Sequence, residues 1–335
     1  MRVNTDRSSS SRPSVRWARR RSPVTKRLAT PTWPLGARLL GAYVPGMDWL
    51  LRAGGALIVL VVLRDIFHTL WHPQGFGSLA RGAVRIVWRG RHLVGLRRRE
   101  LIGPLGMLLA VALWTALTVV GWALIYLPSI SDGFYYEASL RPEQSSGFVT
   151  ALYLSLVTAA TLGFGDITPA SSALRLLTPV ESLIGFVLLT AAISWILQIY
   201  PALGRRRATA VHLHALADDD TAALVRDGDP AIASGILHAV SRDLAVVAVD
   251  MTQYAESYYF VENDEPMSLA ANLPYALALV EAGLGAASSE VRSAARVLRS
   301  CVEQVTDRIA ITHLGTEGSV EEVLRAFAQD HRRPD

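Results

Sequence analysis

Between Glu100 and Asp132 the chain runs through residues 101–131, 31 positions, without one charged side chain. About 20 apolar residues in a helix cross the hydrocarbon of a bilayer. A helix does so because it satisfies every backbone polar group within the segment. The run is therefore read as a transmembrane helix, and it commits the chain to a membrane. Trp122 and Tyr126 lie in its second half, with Trp114 near its middle; aromatic rings toward that end suit the far membrane interface. Composition agrees: 51% of the 335 residues are hydrophobic and 19% charged, against roughly 25% charged in ordinary soluble domains. A lone cysteine, Cys301, excludes a disulfide framework.

Charge divides the chain in two. Residues 1–207 hold 24 Lys+Arg against 9 Asp+Glu, and residues 208–335 hold 9 against 20. This reads as a basic membrane module followed by an acidic, soluble, helical domain at 208–335. Residues 1–46 carry ten basic residues and one acid without hydrophobic period, the composition of a disordered leader. Residues 47–71 contain the first apolar segment, but Arg52 and Arg64 bracket only eleven uncharged residues. Two readings stand: an N-terminal membrane helix whose arginines snorkel, or a helix packed on its neighbours or lying in the interface. Residues 72–100 hold Arg81, Arg85 and Arg89 at every fourth position around Val84 and Trp88. That pattern predicts a cytosolic amphipathic helix on anionic lipid headgroups. Residues 147–160 are apolar but only fourteen long, too short to span and suited to a re-entrant helix. Residues 172–200 form a second spanning segment, interrupted by Pro179 and Glu181 and closed by Trp195, Tyr200 and Arg205–Arg207.

Between the short helix and this last span stand Thr161, Leu162, Gly163, Phe164, Gly165 and Asp166. A dehydrated cation needs a ring of oxygen ligands, and backbone carbonyls provide one without a trapping charge. Aiming successive carbonyls the same way needs backbone of alternating hand, and glycine reaches positive φ at little steric cost. With its half-helix and flanking spans, residues 101–200 resemble the potassium-channel pore family: outer helix, pore helix, selectivity filter and inner helix. The resemblance implies K+ sites at the carbonyls of Thr161, Leu162, Gly163 and Phe164, with the Thr161 hydroxyl completing the innermost site. Gly165 closes the filter, and Asp166 takes the position that braces its outer mouth. The pore-helix carboxylate that often pairs with such an aspartate is Val157 here, so Tyr153 is the candidate donor. Phe164 stands where a tyrosine is commoner and lacks the phenolic hydrogen bond.

Gly185 lies twenty residues after Gly165, at the family's hinge-glycine position; close helix packing explains it equally. Glu181, an acid within a membrane helix, is a functional candidate by its cost, either in gating or bonded to nearby backbone. These two are the gating candidates.

The fold class expected is thus an all-α membrane protein. It combines a potassium-channel-like pore with an extra N-terminal membrane helix and a helical cytosolic C-terminal domain. One filter per chain implies a homotetramer. The expected function is passive, potassium-selective conduction across the plasma membrane by a multi-pass subunit. K+ is the permeant ion, no cofactor is implied, and nothing points to nucleic acid. A poorly selective cation channel, or a membrane-anchored sensor with a vestigial pore, are the alternatives. No nucleophile–base set supports an enzyme. His212 and His214, and the acidic groups Asp218–Asp220 and Glu262–Glu265, are read as solvated rather than metal-binding. An outward-opening filter puts Arg205–Arg207 inside and leaves a spanning 49–71 with an external start. The basic leader would then be misplaced, which singles out Met47 as a candidate initiator.

Overall fold

The 31-residue uncharged run folds as helix α3 (Ile102–Tyr126), bracketed by short 3-10 turns. The computed structural model describes residues 46–71, 77–90, 99–137 and 147–331; the expected leader at 1–46 lies, but for Gly46, outside them. Helix α1 (Met47–Leu70) runs antiparallel along α3. Near its start, Arg52 donates to Ser129 Oγ at 2.9 Å, beyond the end of α3. Near its other end Asp65 reaches Trp114, at the middle of α3. The helices cross at Gly55 and Gly121: a Cβ on Gly121 would lie 2.9 Å from the Gly55 carbonyl oxygen. Small residues at such a crossing let backbones approach.

Helix α2 (Ser78–Gly90) is amphipathic. Ala80, Ala83, Val84 and Trp88 are buried on α3, while Arg81, Arg85 and Arg89 are exposed. Its start is fixed from another helix. Asp65 on α1 accepts the N–H groups of Leu79 (2.9 Å) and Ala80 (3.1 Å), the Ser78 hydroxyl (3.2 Å) and the Trp114 indole (2.9 Å). First-turn N–H groups lack partners inside a helix, and here a side chain from α1 provides them. The sequence reading left Asp65 without a role.

After α3 come strand β1 (Phe134–Tyr136), helix α4 (Gly147–Ala159), strand β2 (Ile167–Pro169) and helix α5 (Ser172–Asp218). The strands pair antiparallel, Tyr135 opposite Thr168. Helix α5 begins at a Ser171 cap, whose hydroxyl accepts the Leu174 N–H at 3.3 Å. Its 47 residues extend for about 70 Å, through Pro179 and Pro201. Among the described residues, three helical segments are long and apolar enough to cross a membrane: Arg99–Ser129, Ser172–Asp218 and Pro230–Gln253.

The expected domain boundary at 208 falls inside α5. Arg205–Arg207, read as the end of a span, lie mid-helix because the acidic half folds back onto them. Arg205 forms a forked pair with Asp250 at 2.7 and 2.8 Å, and Arg207 meets Glu262 at 2.9 Å. Arg206, buried, donates to the carbonyls of Ser257 and Phe260 and lies 3.3 Å from Glu262. The C-terminal half adds α6 (Thr221–Asp227), α7 (Pro230–Gln253), α8 (Leu269–Gly285), α9 (Ser289–Ile309) and α10 (Val320–His331). Helix α7 buries Val240, Leu244 and Val247 against Val291, Ala295, Leu298 and Val302 of α9, so its apolar composition serves this bundle. One hydrophobic core runs from Val62, Met107, Trp114 and Trp195 into Leu237, Leu273 and Phe327. A second core, with Trp122, Tyr126, Leu154 and Ile167, surrounds the other end of α3.

Candidate functional site

The site is assembled by α4, which ends at Ala159, two residues before Thr161. Its last turn is tied off locally: Thr161 N–H donates to the Thr158 carbonyl (2.9 Å) and Leu162 N–H to that of Val157 (3.0 Å). The Ser182 hydroxyl of α5 also donates to the Thr158 carbonyl, at 3.0 Å. Gly185 lies directly beneath: a Cβ there would run into the carbonyl oxygen of Ala159. Its smallness is thus required by close helix contact, and its φ lies outside the left-handed region.

From Thr161 onward the backbone changes hand at every residue. Thr161, Gly163 and Gly165 have φ of 57°, 53° and 80°, while Leu162 and Phe164 are not in the positive-φ region. Two glycines take this conformation readily; a β-branched threonine does so at a cost of about 1–2 kcal/mol. Strain of this kind persists where surrounding structure imposes it. A Cβ on Gly163 or Gly165 would meet nothing within 4 Å, so the demand at both is conformational rather than steric. The side chains of Leu162 and Phe164 are 59% and 66% exposed, left largely uncovered by the described residues.

The far end of the segment is fastened twice. Asp166 accepts the Tyr153 hydroxyl at 2.6 Å through one carboxylate oxygen and its neighbour Ile167 N–H at 3.1 Å through the other. The Asp166 carbonyl takes the Glu137 N–H at 2.9 Å, continuing the β1–β2 pairing. Val157, one turn along α4 from Tyr153, is buried.

Glu181 stands apart from this surface. It is fully buried and accepts the Tyr126 hydroxyl and the Ser155 hydroxyl, each at 2.6 Å; Ser155 also lies 2.9 Å from the Val119 carbonyl. The carboxylate therefore joins α3, α4 and α5 behind the segment. Tyr126 and Ser155 were missed in the sequence because their shared partner lies 55 and 26 positions away. An apolar cavity of about 280 Å³ opens below, lined by Thr118, Leu156, Thr161, Gly185 and Phe186 among others.

The histidines beyond the span are engaged: His212 with Asp243 at 2.8 Å and His214 with Asn272 at 3.1 Å. Among the described residues no group of three or more His, Cys, Asp or Glu is placed to hold a metal ion.

Residues 109–200, from within α3 to within α5, match the model of a family described as "Ion channel". The protein is an all-α membrane protein, and the matched domain supports an ion channel rather than an enzyme. The chain is also 26% identical over 172 residues to the uncharacterized membrane protein YdjJ of Bacillus subtilis (strain 168). That alignment covers 50% of this chain and 49% of the relative, so the chain spans about half the length of the curated relative it matches. No solved structure matches.

Proposed function

We propose that the chain is one subunit of a homotetrameric, potassium-selective channel of the plasma membrane. The observation that carries this reading is the alternation of backbone hand over Thr161–Gly165, at the end of a thirteen-residue half-helix. Alternation is what lets successive carbonyls line one axis. In the proposal the carbonyls of Thr161, Leu162, Gly163 and Phe164 replace the hydration of K+. Weak binding at several sites then lets each ion leave.

One subunit supplies a quarter of such a ring. The exposure of Leu162 and Phe164 supports three further copies, against which those side chains pack. So does the apolar outer face of α5, where Leu183, Phe186, Leu189, Ile193 and Leu197 are exposed. The carbonyl end of α4 points its negative dipole end at the cavity below the filter, which favours a cation there. Asp166 and Tyr153 brace the outer mouth; Gly185 and Glu181 hold the inner helix to the pore helix, where a gating movement has to begin. With the filter opening outward, α1 runs in the direction opposite to α3. Helix α2 lies at the cytosolic face with its arginines toward anionic headgroups, and residues beyond Arg205 are cytosolic.

The test is the reversal potential of the purified, reconstituted protein under opposed K+ and Na+ gradients. A potential close to the K+ equilibrium value is expected. One near zero identifies a poorly selective cation channel, and the absence of current a vestigial pore.

A further inference from the structure

The segment 255–262 is where the C-terminal half meets the membrane half. Its Phe260 ring covers Gly103 at the start of α3, where a Cβ would come within 2.6 Å of it. The Tyr258 and Tyr259 rings contact Trp88 of α2, with centroids 5.8 and 5.3 Å away. Tyr258 also stacks on His313 at 4.0 Å and donates to Asp330 at 2.6 Å. Arg206 of α5 holds the carbonyls of Ser257 and Phe260. At the head of this segment is Glu256, buried, whose carboxyl accepts the indole N–H of Trp195 on the inner helix. Trp195 in turn packs on Trp114 of α3, 5.4 Å between centroids.

A buried carboxylate ordinarily sits beside a cation. Among the described residues no ion pair reaches Glu256: Arg205 is taken by Asp250, and Arg206 and Arg207 by Glu262. Helix α3 has no charged residue between Ile102 and Tyr126. Helix α2 carries Arg81, Arg85 and Arg89 on its exposed face, the first two bearing electrostatically on His313. Helix α7 contributes Asp250, bound to Arg205, and Tyr254. Helix α10 contributes Asp330, bound to Tyr258, and His331, whose ring nitrogens face the carbonyls of Tyr258 and Phe327 at 2.8 and 3.1 Å. Burial is the main force holding His313 down to about 3 and His331 to about 4, so both are neutral near pH 7. Burial drives Glu256 the other way, up to about 7, with the Trp195 bond opposing it.

We propose that Glu256 is a proton-operated latch between the cytosolic domain and the inner helix. While its carboxyl is neutral it holds segment 255–262 against Trp195; when the proton leaves to cytosolic water, the uncompensated charge releases the segment. The sign follows from linkage. The packed junction binds the proton more tightly than the released one, whose carboxyl returns to the ordinary range near 4.5. Packing is therefore fully favoured below about pH 4.5 and weakens as pH rises toward 7. Because α5 is one continuous helix from the filter to the domain, release changes the restraint on the pore. The effect on conduction rests on the channel reading above; the release itself does not.

The test uses the full-length protein in lipid nanodiscs. Hydrogen exchange of 255–262 is followed at pH 5.5 and 8.5, with Glu256→Gln at each pH as the reference that cannot titrate. The ratio of wild-type to reference exchange is expected to rise at least roughly tenfold from pH 5.5 to pH 8.5. An equal ratio at both values overturns the latch. Trp195→Phe removes the donor that steadies the ionised carboxylate while it is packed, so release is expected to set in at lower pH than in the wild type; an unmoved onset also overturns it. This variant decides the matter should Glu256→Gln fail to fold. In single-channel recordings, open probability is expected to vary with internal pH in the wild type and not in Glu256→Gln. A pH-flat wild type with the exchange transition intact overturns the coupling to gating. An exchange transition without current at any pH supports the latch and overturns the channel reading.

Discussion

Tyr126 of α3 and Glu181 of α5, 55 residues apart in sequence, share a buried hydrogen bond of 2.6 Å. Ser155 of α4 donates to the other carboxylate oxygen. The three helices that surround the candidate filter are thus joined at one side chain. Tyr126→Phe removes one of the two donors to a buried carboxylate, and such a loss costs about 1–3 kcal/mol. The variant is expected to unfold at a lower temperature in detergent. Glu181→Leu is expected to cost more, since it leaves the Tyr126 hydroxyl unpaired while Ser155 keeps the Val119 carbonyl. Thermal unfolding curves equal to the wild type would show that the carboxylate clamps nothing.

At Gly163 and Gly165 the φ values of 53° and 80° exclude easy replacement. An alanine in this region costs about 1 kcal/mol or more, and a fourfold assembly multiplies the cost. Either Gly→Ala variant is expected to lose K+ over Na+ selectivity with the fold of the subunit unchanged, since none of its described residues has an atom within 4 Å to be displaced. Gly204→Ala is the control: it has open space in α5 and no left-handed φ, so selectivity is expected to persist. Selective currents through Gly163→Ala argue against a carbonyl filter here.

What the sequence made legible was local. Helix α4, the alternating backbone at 161–165 and the α3 span each follow from a continuous run of residues and its neighbours. The continuation of α5 to Asp218 was not legible. Arg205–Arg207 carry the charge pattern of a helix leaving the membrane, and their partners Asp250 and Glu262 are 45 and 55 positions away. Trp195 and Glu256 are 61 positions apart. No periodicity marks such a pair; an acid in an aromatic segment, Glu256 before Tyr258, Tyr259 and Phe260, is its only local trace. A buried polar group must find a partner, yet the sequence does not say which.

Asp65 is the N-terminal cap of a helix it does not belong to. Replacing it by alanine strands the N–H groups of Leu79 and Ala80 and the indole of Trp114 together. Loss of a cap alone costs about 0.5–2 kcal/mol. Asp65→Ala is therefore expected to loosen α2 from α3, raising hydrogen exchange across residues 78–90 while 102–126 stays protected. Asp65→Asn keeps an acceptor oxygen and is expected to fall between the two. Unchanged exchange in α2 would mean that its apolar face alone holds it.

Tyr153 and Asp166 make the last of these contacts, and theirs is the one nearest the outer mouth. The Tyr153 hydroxyl donates at 2.6 Å to a carboxylate whose other oxygen already holds the Ile167 N–H. Asp166 also begins the β1–β2 pairing through its carbonyl, so the bond ties α4 to the exit of the filter rather than to a free loop. Phe164 has no hydroxyl with which to brace the filter from within, which leaves this external tie to hold it. Tyr153→Phe keeps the ring and deletes the donor. The backbone of 161–165, the proposed ion site, is untouched, so the ratio of K+ to Na+ permeability is expected to stay at the wild-type value. The time for which the filter conducts is expected to shorten, read as a several-fold faster decay of current during sustained opening. Raising external K+ refills the carbonyl sites and is expected to slow that decay. A variant whose selectivity changes while its decay does not would place Tyr153 in the ion sites themselves, and would remove it from the brace.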